Sequence, residues 1–359
     1  MSRRFEDDGK SVEEARFAAQ RLAFGPLMFQ ATRALQRFGV LGLAKNRGRS
    51  GVSAVEVEAA IEPLSLYASR QLLEAGLAAE LFVLRGEQFV LTTVGYLLLT
   101  DPMTRANTDF VADVCYEGMA KLGDSLLSGK PEGLSVFGEH RTVYDALVDL
   151  PEPVRQSWFA FDHFYSSGVF AAALPIVFDP KPKTILELGG NTGKWERACC
   201  EYDADVQLTM LDLPGQLQTA EENFRTWGIA DRVTSHPVDF LDPSVPFPEG
   251  HDVLWLSQFL DCFAEPVIVN ILERCGQAMG PESRLYILEA YWDQQEHTAA
   301  QFCIINLSLY FAALANGTSK MMHSDRMRDC IRQAGLELVG EPTSIGMSHT
   351  LMRVRVPAS

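Results

Sequence analysis

Short apolar runs alternate with longer mixed segments from residue 183 to the end of the chain. Each run is rich in aliphatic and β-branched residues, which is typical of a strand buried on both faces of a parallel sheet. Most of the intervals between runs are long enough for a crossover helix. The pattern therefore predicts a doubly wound α/β domain. Its predicted strands are 184–188, 207–212, 233–237, 252–257, 285–289, 336–339 and 350–356.

The amino-terminal hundred residues follow a different pattern. Apolar positions first recur at helical spacing and end at Gly39, and a later helix is expected to end before Gly76. Two β-branched and aromatic runs then flank a turn at Gly86, which predicts a hairpin. Helices followed by a hairpin indicate a winged helix-turn-helix, used either for dimerisation or for DNA binding. The predicted elements are helices at 11–43, 54–61 and 64–74 and strands at 81–84 and 88–92.

One helix face in this region carries Phe24, Leu27, Met28, Leu35 and Phe38. This face is larger than a small winged domain alone can cover, so we expect a second copy of the chain to cover it. The predicted 64–74 helix has few lysines and arginines, which disfavours DNA binding. The sequence therefore predicts a homodimer.

Composition narrows the class of protein further. The 359 residues predict two domains, or one large domain with an appendage, and 47% hydrophobic residues supply ample material for a core. A formal net charge of −16 argues against a nucleic-acid partner. The seven cysteines are scattered without a C-x-x-C pair, as in reduced, cytoplasmic proteins. We expect no membrane association, because the start has no apolar leader and we expect no later stretch to be long and apolar enough to span a membrane.

The strand at 184–188 ends in an acid and breaks into a glycine-rich turn. Glu187 is followed by Gly189, Gly190 and Gly193, and Asp212 closes the next strand. Glycines let the backbone approach a ligand, and an acid at the tip of the second strand grips ribose hydroxyls. The glycine spacing differs from the dinucleotide pattern, and Lys194 is followed by Trp195 rather than by the Ser or Thr of a P-loop. The pattern predicts an adenosine site without phosphate recognition.

The segment Glu187-Leu-Gly-Gly-Asn-Thr-Gly193 resembles the glycine loop of class I S-adenosylmethionine-dependent methyltransferases. Asp212-Leu213-Pro214 resembles the Asp-Leu-Pro of the two-domain small-molecule O-methyltransferases. The resemblance covers essentially the whole chain. It implies a winged-helix dimerisation domain (1–101), a helical connector and substrate cap (102–180) and a Rossmann-like, seven-stranded domain that binds S-adenosylmethionine (181–359). The last strand is then the antiparallel one, inserted next to the sheet edge.

Ligands of open parallel sheets bind beyond the carboxyl ends of the strands. By resemblance, Asp239 accepts from the adenine amine and the Phe240 ring lies against the base. Ser257 and Gln258, at the end of the fourth strand of this domain, complete the expected set. The cofactor residues predicted are Glu187, Gly189, Gly190, Gly193, Asp212, Leu213, Asp239, Phe240, Ser257 and Gln258.

The catalytic base is where the sequence departs from its family. The family carries His-Asp-Trp after the fourth strand of this domain. An ungapped alignment puts that motif on Asp261-Cys262-Phe263. An aspartate of ordinary pKa, about 3.9, is a poor base for a phenol whose pKa is about 10. Glu289 matches the glutamate that orients the family's histidine. Two acids therefore share one site, and we expect the pKa of one of them to be raised.

Three histidines are candidates to compensate for the missing imidazole: His163, His323 and His349. His163 and Tyr165 lie in a segment that, in the family, touches both the methyl donor and the acceptor. A purely structural role is open for each histidine and for Tyr165. We favour a shared site in which Asp261 and Glu289 hold a histidine or the acceptor hydroxyl. The spacing of histidines and acids predicts no metal site.

The predicted function is transfer of a methyl group from S-adenosylmethionine to a hydroxylated, aromatic small molecule, with O-methylation favoured. Gln258–Phe263 and the segment around His163 also resemble a subgroup from aromatic polyene or polyketide pathways of bacterial secondary metabolism. There the acceptor is a ring carbon beside a phenol, which needs less direct proton removal. A relative that binds the cofactor without methyl transfer and a winged-helix regulator stay open, as does an acceptor bound to a carrier protein.

Overall fold

The computed structural model describes residues 8–357, apart from the side chain of Ser167. These residues form two compact units, of residues 8–113 and 114–357. The boundary falls inside the segment 102–180 that we expected to connect the domains. The three-part division, with boundaries at 101 and 180, stays a prediction.

The amino-terminal unit is mainly helical and has one hairpin. Ser11 and Ser53 begin their helices with capping boxes, in which the serine accepts from the backbone three residues later and a glutamate returns the bond. The hairpin has an antiparallel register that pairs Phe82 with Leu91. The elements are α1 (Val12–Ala23), α2 (Gly25–Arg37), α3 (Val40–Arg47), α4 (Ala54–Ala60), α5 (Leu66–Ala78), β1 (Phe82–Arg85), β2 (Gln88–Leu91), α6 (Thr93–Thr100) and α7 (Pro102–Phe110).

Two boundaries in this unit differ from those predicted. The 11–43 segment is broken into three helices, because Phe24 ends the first and Gly39, at φ +77°, turns the chain after the second. The helix predicted at 64–74 begins at Leu66 and continues through Gly76 to Ala78. Gly76 is a packing residue rather than a helix terminator, because a Cβ there would lie 2.5 Å from the Phe82 ring.

The second unit is built on one mostly parallel sheet. Its helices and strands alternate as predicted from residue 184 onward. Its elements are α8 (Leu122–Ser128), α9 (Val143–Ala146), α10 (Glu152–Val177), β3 (Thr184–Leu188), α11 (Lys194–Tyr202), β4 (Gln207–Asp212), α12 (Pro214–Trp227), β5 (Val233–Pro237), β6 (Val253–Ser257), α13 (Glu265–Ala278), β7 (Arg284–Glu289), α14 (Thr298–Tyr310), α15 (Ser324–Gln333), β8 (Glu337–Leu338), β9 (Thr343–Ile345) and β10 (His349–Arg355).

The strand order is β5-β4-β3-β6-β7-β10-β8, and β9 pairs with β10. Strands β3 to β7 are parallel to one another in the sheet, whereas β10 is antiparallel to β7, β8 and β9. Chain order reverses between β3 and β6, which opens a crevice at their carboxyl ends. The predicted fold class and the inserted antiparallel strand are confirmed. The sheet has eight strands rather than seven, because β9 forms within the segment 342–348 that we expected to be a loop.

Both faces of the sheet are buried, which explains why the strands read as continuous apolar runs. One face packs on α13 and α15 through Leu186, Leu254 and Ile287, and the other packs on α10 and α11. On the second face the rings of Trp195 and Trp255 stack at 4.1 Å. This rigid base holds the strand ends in fixed positions.

One prediction about apolar segments needs correction. Helix α14 and the π-helical turn after it, Thr298–Ala315, are long and apolar enough to cross a membrane by length and composition. This finding corrects the expectation that no stretch of the chain is long and apolar enough to span a membrane. Core helices of soluble proteins meet the same criterion, and the residues from Tyr310 to Ala315 are buried.

Candidate active site

The glycine loop joins β3 to α11 at the crevice between β3 and β6. Gly189 has φ +77° and Gly193 has φ +82°, a region that favours glycine. A Cβ on Gly189 would lie 2.2 Å from the Phe259 ring, and one on Gly193 would lie 2.2 Å from the Phe224 ring. Both glycines are therefore required by the packing of this loop, in addition to any approach by a ligand.

Asp212 ends β4 and faces the loop. One of its oxygens accepts from the Asn191 amide at 2.8 Å, and the other accepts from the Leu213 amide at 2.7 Å. Burial raises the pKa of Asp212 to about 7, although these two backbone bonds act in the opposite direction. Each oxygen keeps acceptor capacity for one more donor. The two backbone amides thus hold the carboxylate of Asp212 in a fixed orientation beside the loop.

Glu187 lies beneath the loop and is almost completely buried. It faces Glu196 of α11, which is fully buried, and burial together with the Glu196 charge raises the pKa of Glu187 well above its usual range. Burial raises the pKa of Glu196 as well. Gly190 is needed here, because a Cβ at this position would lie 2.8 Å from Glu187 Oε2. Glu187 therefore shapes the floor of the loop.

Helix α10 supplies the opposite wall of the crevice. The side-chain amide of Asn191 donates to Asp162 at 3.1 Å, and Thr192 Oγ1 lies 3.4 Å from His163 Nε2. His163 stacks on Phe159 with a centroid distance of 5.6 Å. Burial lowers the pKa of His163 to about 4 and raises that of Asp162 to about 6. At neutral pH the histidine is neutral and the aspartate is largely ionised.

Tyr165 lies two residues after His163 on α10, about half a helical turn further along. Its ring meets the Phe164 ring nearly edge-on at 5.2 Å and the Phe161 ring at 5.1 Å. These contacts fix the ring by aromatic packing on its own helix.

Asp239 and Phe240 follow β5. Asp239 is half-exposed, pairs with Arg141 at 3.4 Å and accepts from the Leu241 amide at 3.0 Å. The Phe240 ring is buried and lies 4.7 Å from the ring of Phe259, the residue that also covers Gly189. The pair is therefore next to the glycine loop, with the acid at the surface and the ring inside.

Several polar atoms at the strand ends are buried and lack a hydrogen-bond partner. They are Ser257 Oγ, Gln258 Nε2 and Asn191 Oδ1. Gln258 and Asn191 also have positive φ, at +50° and +52°, which is uncommon for residues other than glycine. Buried polar groups normally find partners, so this set indicates a polar ligand. Together with Asp212, these residues fit the adenosine and methionine parts of S-adenosylmethionine.

The second acidic centre lies at the ends of β6 and β7. Glu289 Oε1 accepts from the Phe259 amide at 3.0 Å and from the Leu260 amide at 2.8 Å, whereas the buried Oε2 has no partner. Burial and the neighbouring Asp261 charge raise the pKa of Glu289 well above its usual range. Burial also raises the pKa of Asp261 to about 6. We expected a raised pKa for one of these two carboxyl groups, and the pKa of each is raised.

Aromatic and sulfur groups surround this carboxyl pair. Cys262 Sγ donates to Asp261 at 3.5 Å, and Tyr144 lies against Cys262. Trp158 Nε1 donates to the Tyr310 hydroxyl at 2.8 Å. Asn316 donates to the Cys262 carbonyl at 2.7 Å and so anchors the loop after β6. Aromatic and sulfur side chains therefore pack around the two carboxyl groups at these strand ends.

The other two candidate histidines make different contacts. His323 caps α15 by accepting from the Asp325 amide at 3.1 Å, and its ring meets that of Trp292 at 4.8 Å. His349 is buried at the start of β10, 3.2 Å from Ser348 Oγ, and burial lowers its pKa to about 4. Its neighbour Thr350 pairs with Glu289, so His349 points to the opposite face of the sheet. Both histidines have structural partners.

Comparison with known proteins identifies the larger unit. Residues 171–336 match the model of the O-methyltransferase domain. The chain carries an O-methyltransferase domain. Residues 16–89 match the model of the Dimerisation2-like domain. The recognition of a two-domain small-molecule O-methyltransferase, made from the glycine loop and Asp212-Leu213-Pro214, is confirmed.

Curated relatives of the O-methyltransferase domain act in several ways. Phenazine-1-carboxylate N-methyltransferase of Pseudomonas aeruginosa is 25% identical over 46% of this chain and 47% of its own length. Aclacinomycin 10-hydroxylase RdmB of Streptomyces purpurascens is 30% identical over 45% of this chain and 41% of its own length. The 3-amino-4-hydroxybenzoate 4-O-methyltransferase of Streptomyces cremeus is 28% identical over 56% of this chain and 54% of its own length. The chain thus spans about half the length of these relatives.

Solved structures match nearly the whole chain. The methyltransferase SibL, in its apo form, has a TM-score of 0.70 and 21% identity over 95% of this chain and 99% of its own. PigF with SAH has a TM-score of 0.70 and 18% identity over 96% of this chain and 100% of its own. At this level of identity the likeness shows a shared fold, in which the O-methyltransferase domain follows a helical amino-terminal region.

Sequence reasoning missed two acids of the second unit. Glu196 was overlooked because only its position on the buried face of α11 brings it to Glu187. Asp162 was passed over in favour of His163, although Asp162 bonds the glycine loop directly. A signal was present, since an acid among the aromatic residues of α10 is unusual on a helix that packs on a sheet. In the described residues, no group of three potential metal ligands comes together.

Proposed function

We propose that this protein transfers a methyl group from S-adenosylmethionine to a hydroxylated aromatic small molecule. The observation that carries the proposal is Asp212, held by two backbone amides at the tip of β4 beside unpartnered polar atoms of the glycine loop and the β6 end. The match to the O-methyltransferase domain and the structure of PigF with SAH support the cofactor.

Each part of the cofactor has residues to hold it. Asp212 receives the ribose hydroxyls, Asp239 and Phe240 take the adenine, and the glycine loop with Asn191 takes the methionine part. When bound, S-adenosylmethionine would supply a methyl group on a positively charged sulfur, and the electron pair of the broken carbon–sulfur bond would stay on sulfur when the acceptor oxygen takes the methyl group. The walls of α10 and the β6–α13 loop exclude water and orient the acceptor, so positioning supplies much of the rate.

Asp261 takes the proton from the acceptor hydroxyl. Its pKa of about 6 makes it ionised at neutral pH and brings it closer to a phenol than an ordinary aspartate. Glu289 holds the loop that carries Asp261, through its bonds to the Phe259 and Leu260 amides. His163 borders the glycine loop and so helps position the cofactor and acceptor.

A second candidate is methyl transfer to a ring carbon beside a phenol. It is favoured by the carboxylate at the base position, because attack through carbon needs phenolate character more than direct proton removal at the methylated atom. The amino-terminal unit forms the homodimer contact in either case, as the match to the Dimerisation2-like domain supports. A cytoplasmic location stays a prediction from the scattered cysteines.

Calorimetry with S-adenosylhomocysteine tests the proposal at pH 8, where Asp212 is ionised. We expect Asp212→Ala to weaken binding through the loss of two charge-assisted hydrogen bonds, roughly 1.5–3 kcal/mol each. Asp205→Ala is the matched control, because Asp205 precedes the same strand at its other end and is exposed, pairing with Lys181. Equal affinities in the wild type and in Asp212→Ala would remove the basis of the proposal.

A further inference from the structure

The base loop, which we define as residues 239–247, follows β5 and carries the two residues proposed to take the adenine, Asp239 and Phe240. The side chain of Asp239 is 44% exposed, and its ion pair with Arg141 is exposed as well. Exposed ion pairs hold a side chain only weakly. The backbone of the base loop therefore sets where the Asp239 carboxylate lies.

A buried cation ties the base loop to the helix layer of the sheet. Arg274 of α13 is 3% exposed, and its Nη1 donates to the Phe240 carbonyl at 3.3 Å. Its guanidinium carbon lies 4.0 Å from the centroid of the Phe247 ring. The rings of Phe240 and Phe247 are themselves 6.0 Å apart, nearly edge to face. Arg274 thus contacts the base loop near its start and at its end.

The guanidinium of Arg274 is incompletely paired, because its Nε and Nη2 are buried and lack a hydrogen-bond partner. A buried charge is costly unless it is fully paired, and an apolar side chain of similar size would fill this position at a lower cost. The contacts that need an arginine are the donation to the Phe240 carbonyl and the cation over the Phe247 ring. Both contacts fix the base loop, which favours a role in positioning over a role in stability.

We infer that Arg274 is a positioning residue for adenine recognition. It fixes the base loop from the buried side, so that the Asp239 carboxylate accepts from the exocyclic amine of the base and the Phe240 ring lies against it. The inference rests on the proposed function, which gives the adenine to Asp239 and Phe240. It adds a residue of α13 that acts through these two residues and so sets the choice of base.

Two ligands that differ only at the base test the inference: S-adenosylhomocysteine and S-inosylhomocysteine, in which a keto oxygen replaces the exocyclic amine. Their dissociation constants are measured by calorimetry at pH 8. We expect the wild type to bind S-adenosylhomocysteine at least about tenfold more tightly, because the Asp239 carboxylate accepts from the amine. Arg274→Met should bring the two affinities close together, mainly by weakening S-adenosylhomocysteine. Arg274→Lys should keep most of the ratio, since an ammonium group still supplies a donor and a charge.

Arg284→Met is the matched control. Arg284 is also a buried arginine that donates to a backbone carbonyl, that of Pro180 at 2.7 Å, but it begins β7 at the end of the sheet away from the crevice. A loss of stability alone lowers the amount of protein that binds and leaves the ratio of affinities unchanged, so this variant should keep the ratio. Phe247→Leu removes the ring beside the guanidinium and should narrow the ratio.

Three results would overturn the inference. One is equal affinity of the wild type for the two ligands. Another is an unchanged ratio in Arg274→Met or, where that variant does not fold, in Phe247→Leu. The third is a ratio that falls as far in Arg274→Lys or in Arg284→Met as in Arg274→Met. Failure of the wild type to bind S-adenosylhomocysteine would instead overturn the proposed function, so the two failures are distinguishable.

Discussion

Asp261 is the residue on which the chemistry depends most. Burial raises its pKa to about 6, and the ionised form is the one that accepts a proton. Turnover should therefore rise with pH through about 6 and level off above it. Asp261→Asn should abolish this limb and lower turnover by about 10²–10⁴-fold while leaving affinity for S-adenosylhomocysteine unchanged.

The pH profile separates Asp261 from the neighbouring histidine. The pKa of His163 is lowered to about 4 by burial, so an imidazole base at this position would give a limb near 4. His163→Gln is the control and should leave a limb near 6 in place. The assignment of Asp261 would be contradicted if the limb near 6 survived in Asp261→Asn. It would also be contradicted if His163→Gln removed that limb.

The positions of single residues in the fold could be predicted where the sequence carries a local motif, whereas their roles stay predictions. Glu187, Asp212 and Asp261 were identified from their positions at strand ends, and the structure places each at the crevice. The contacts of Asp162 and Glu196 were missed, because they depend on how α10 and α11 pack against residues elsewhere in the chain. Whether Asp261 is charged likewise depends on burial, which the order of residues alone does not give.

Elements were predicted most reliably where the apolar run was long and buried on both faces. Strands β3, β4 and β5 have the predicted bounds, because their runs end at clear polar or glycine positions. Strand β9 was missed because it has three residues and pairs only along the edge of β10. The predicted boundary of helix α5 was too early. A glycine packed inside a helix cannot be distinguished in sequence from a glycine that ends a helix.

The helices α1 and α2 predict an interaction at the scale of elements. Leu22 and Leu27 are 81% and 64% exposed, and Phe17 and Phe24 are each 55% exposed. Such an apolar surface on a soluble unit favours contact with a second copy of the chain. Leu35, which was predicted to share this face, is instead fully buried in the core of its own unit.

Light scattering tests the homodimer. We expect a mass about twice 39.8 kDa for the wild type. The double variant Leu22→Glu, Leu27→Glu should shift the protein toward the monomer, because burying two charges in an apolar interface is unfavourable. Leu127→Glu, at a 90% exposed position in the other unit, is the control. A wild-type mass near 39.8 kDa would contradict the dimer.

The whole molecule combines a sheet that fixes strand ends with loops that carry the chemistry. The fold class followed from the sequence, since continuous apolar runs separated by helices permit few architectures. The acceptor did not follow, because the surroundings of Asp261 come from α9, α10, the β6–α13 loop and the segment after α14, which are far apart in the chain. The curated relatives leave the methylated atom open as well, since their names record reactions at nitrogen and at oxygen and a hydroxylation.

Transfer of a labelled methyl group tests the central claim most directly. The protein is incubated with S-adenosylmethionine labelled on its methyl group and a panel of hydroxylated aromatics that includes catechols. We expect label in the acceptor and an equal amount of S-adenosylhomocysteine, both lost in Asp212→Ala. A protein that binds the cofactor but leaves the label on it with every acceptor in the panel would contradict the account.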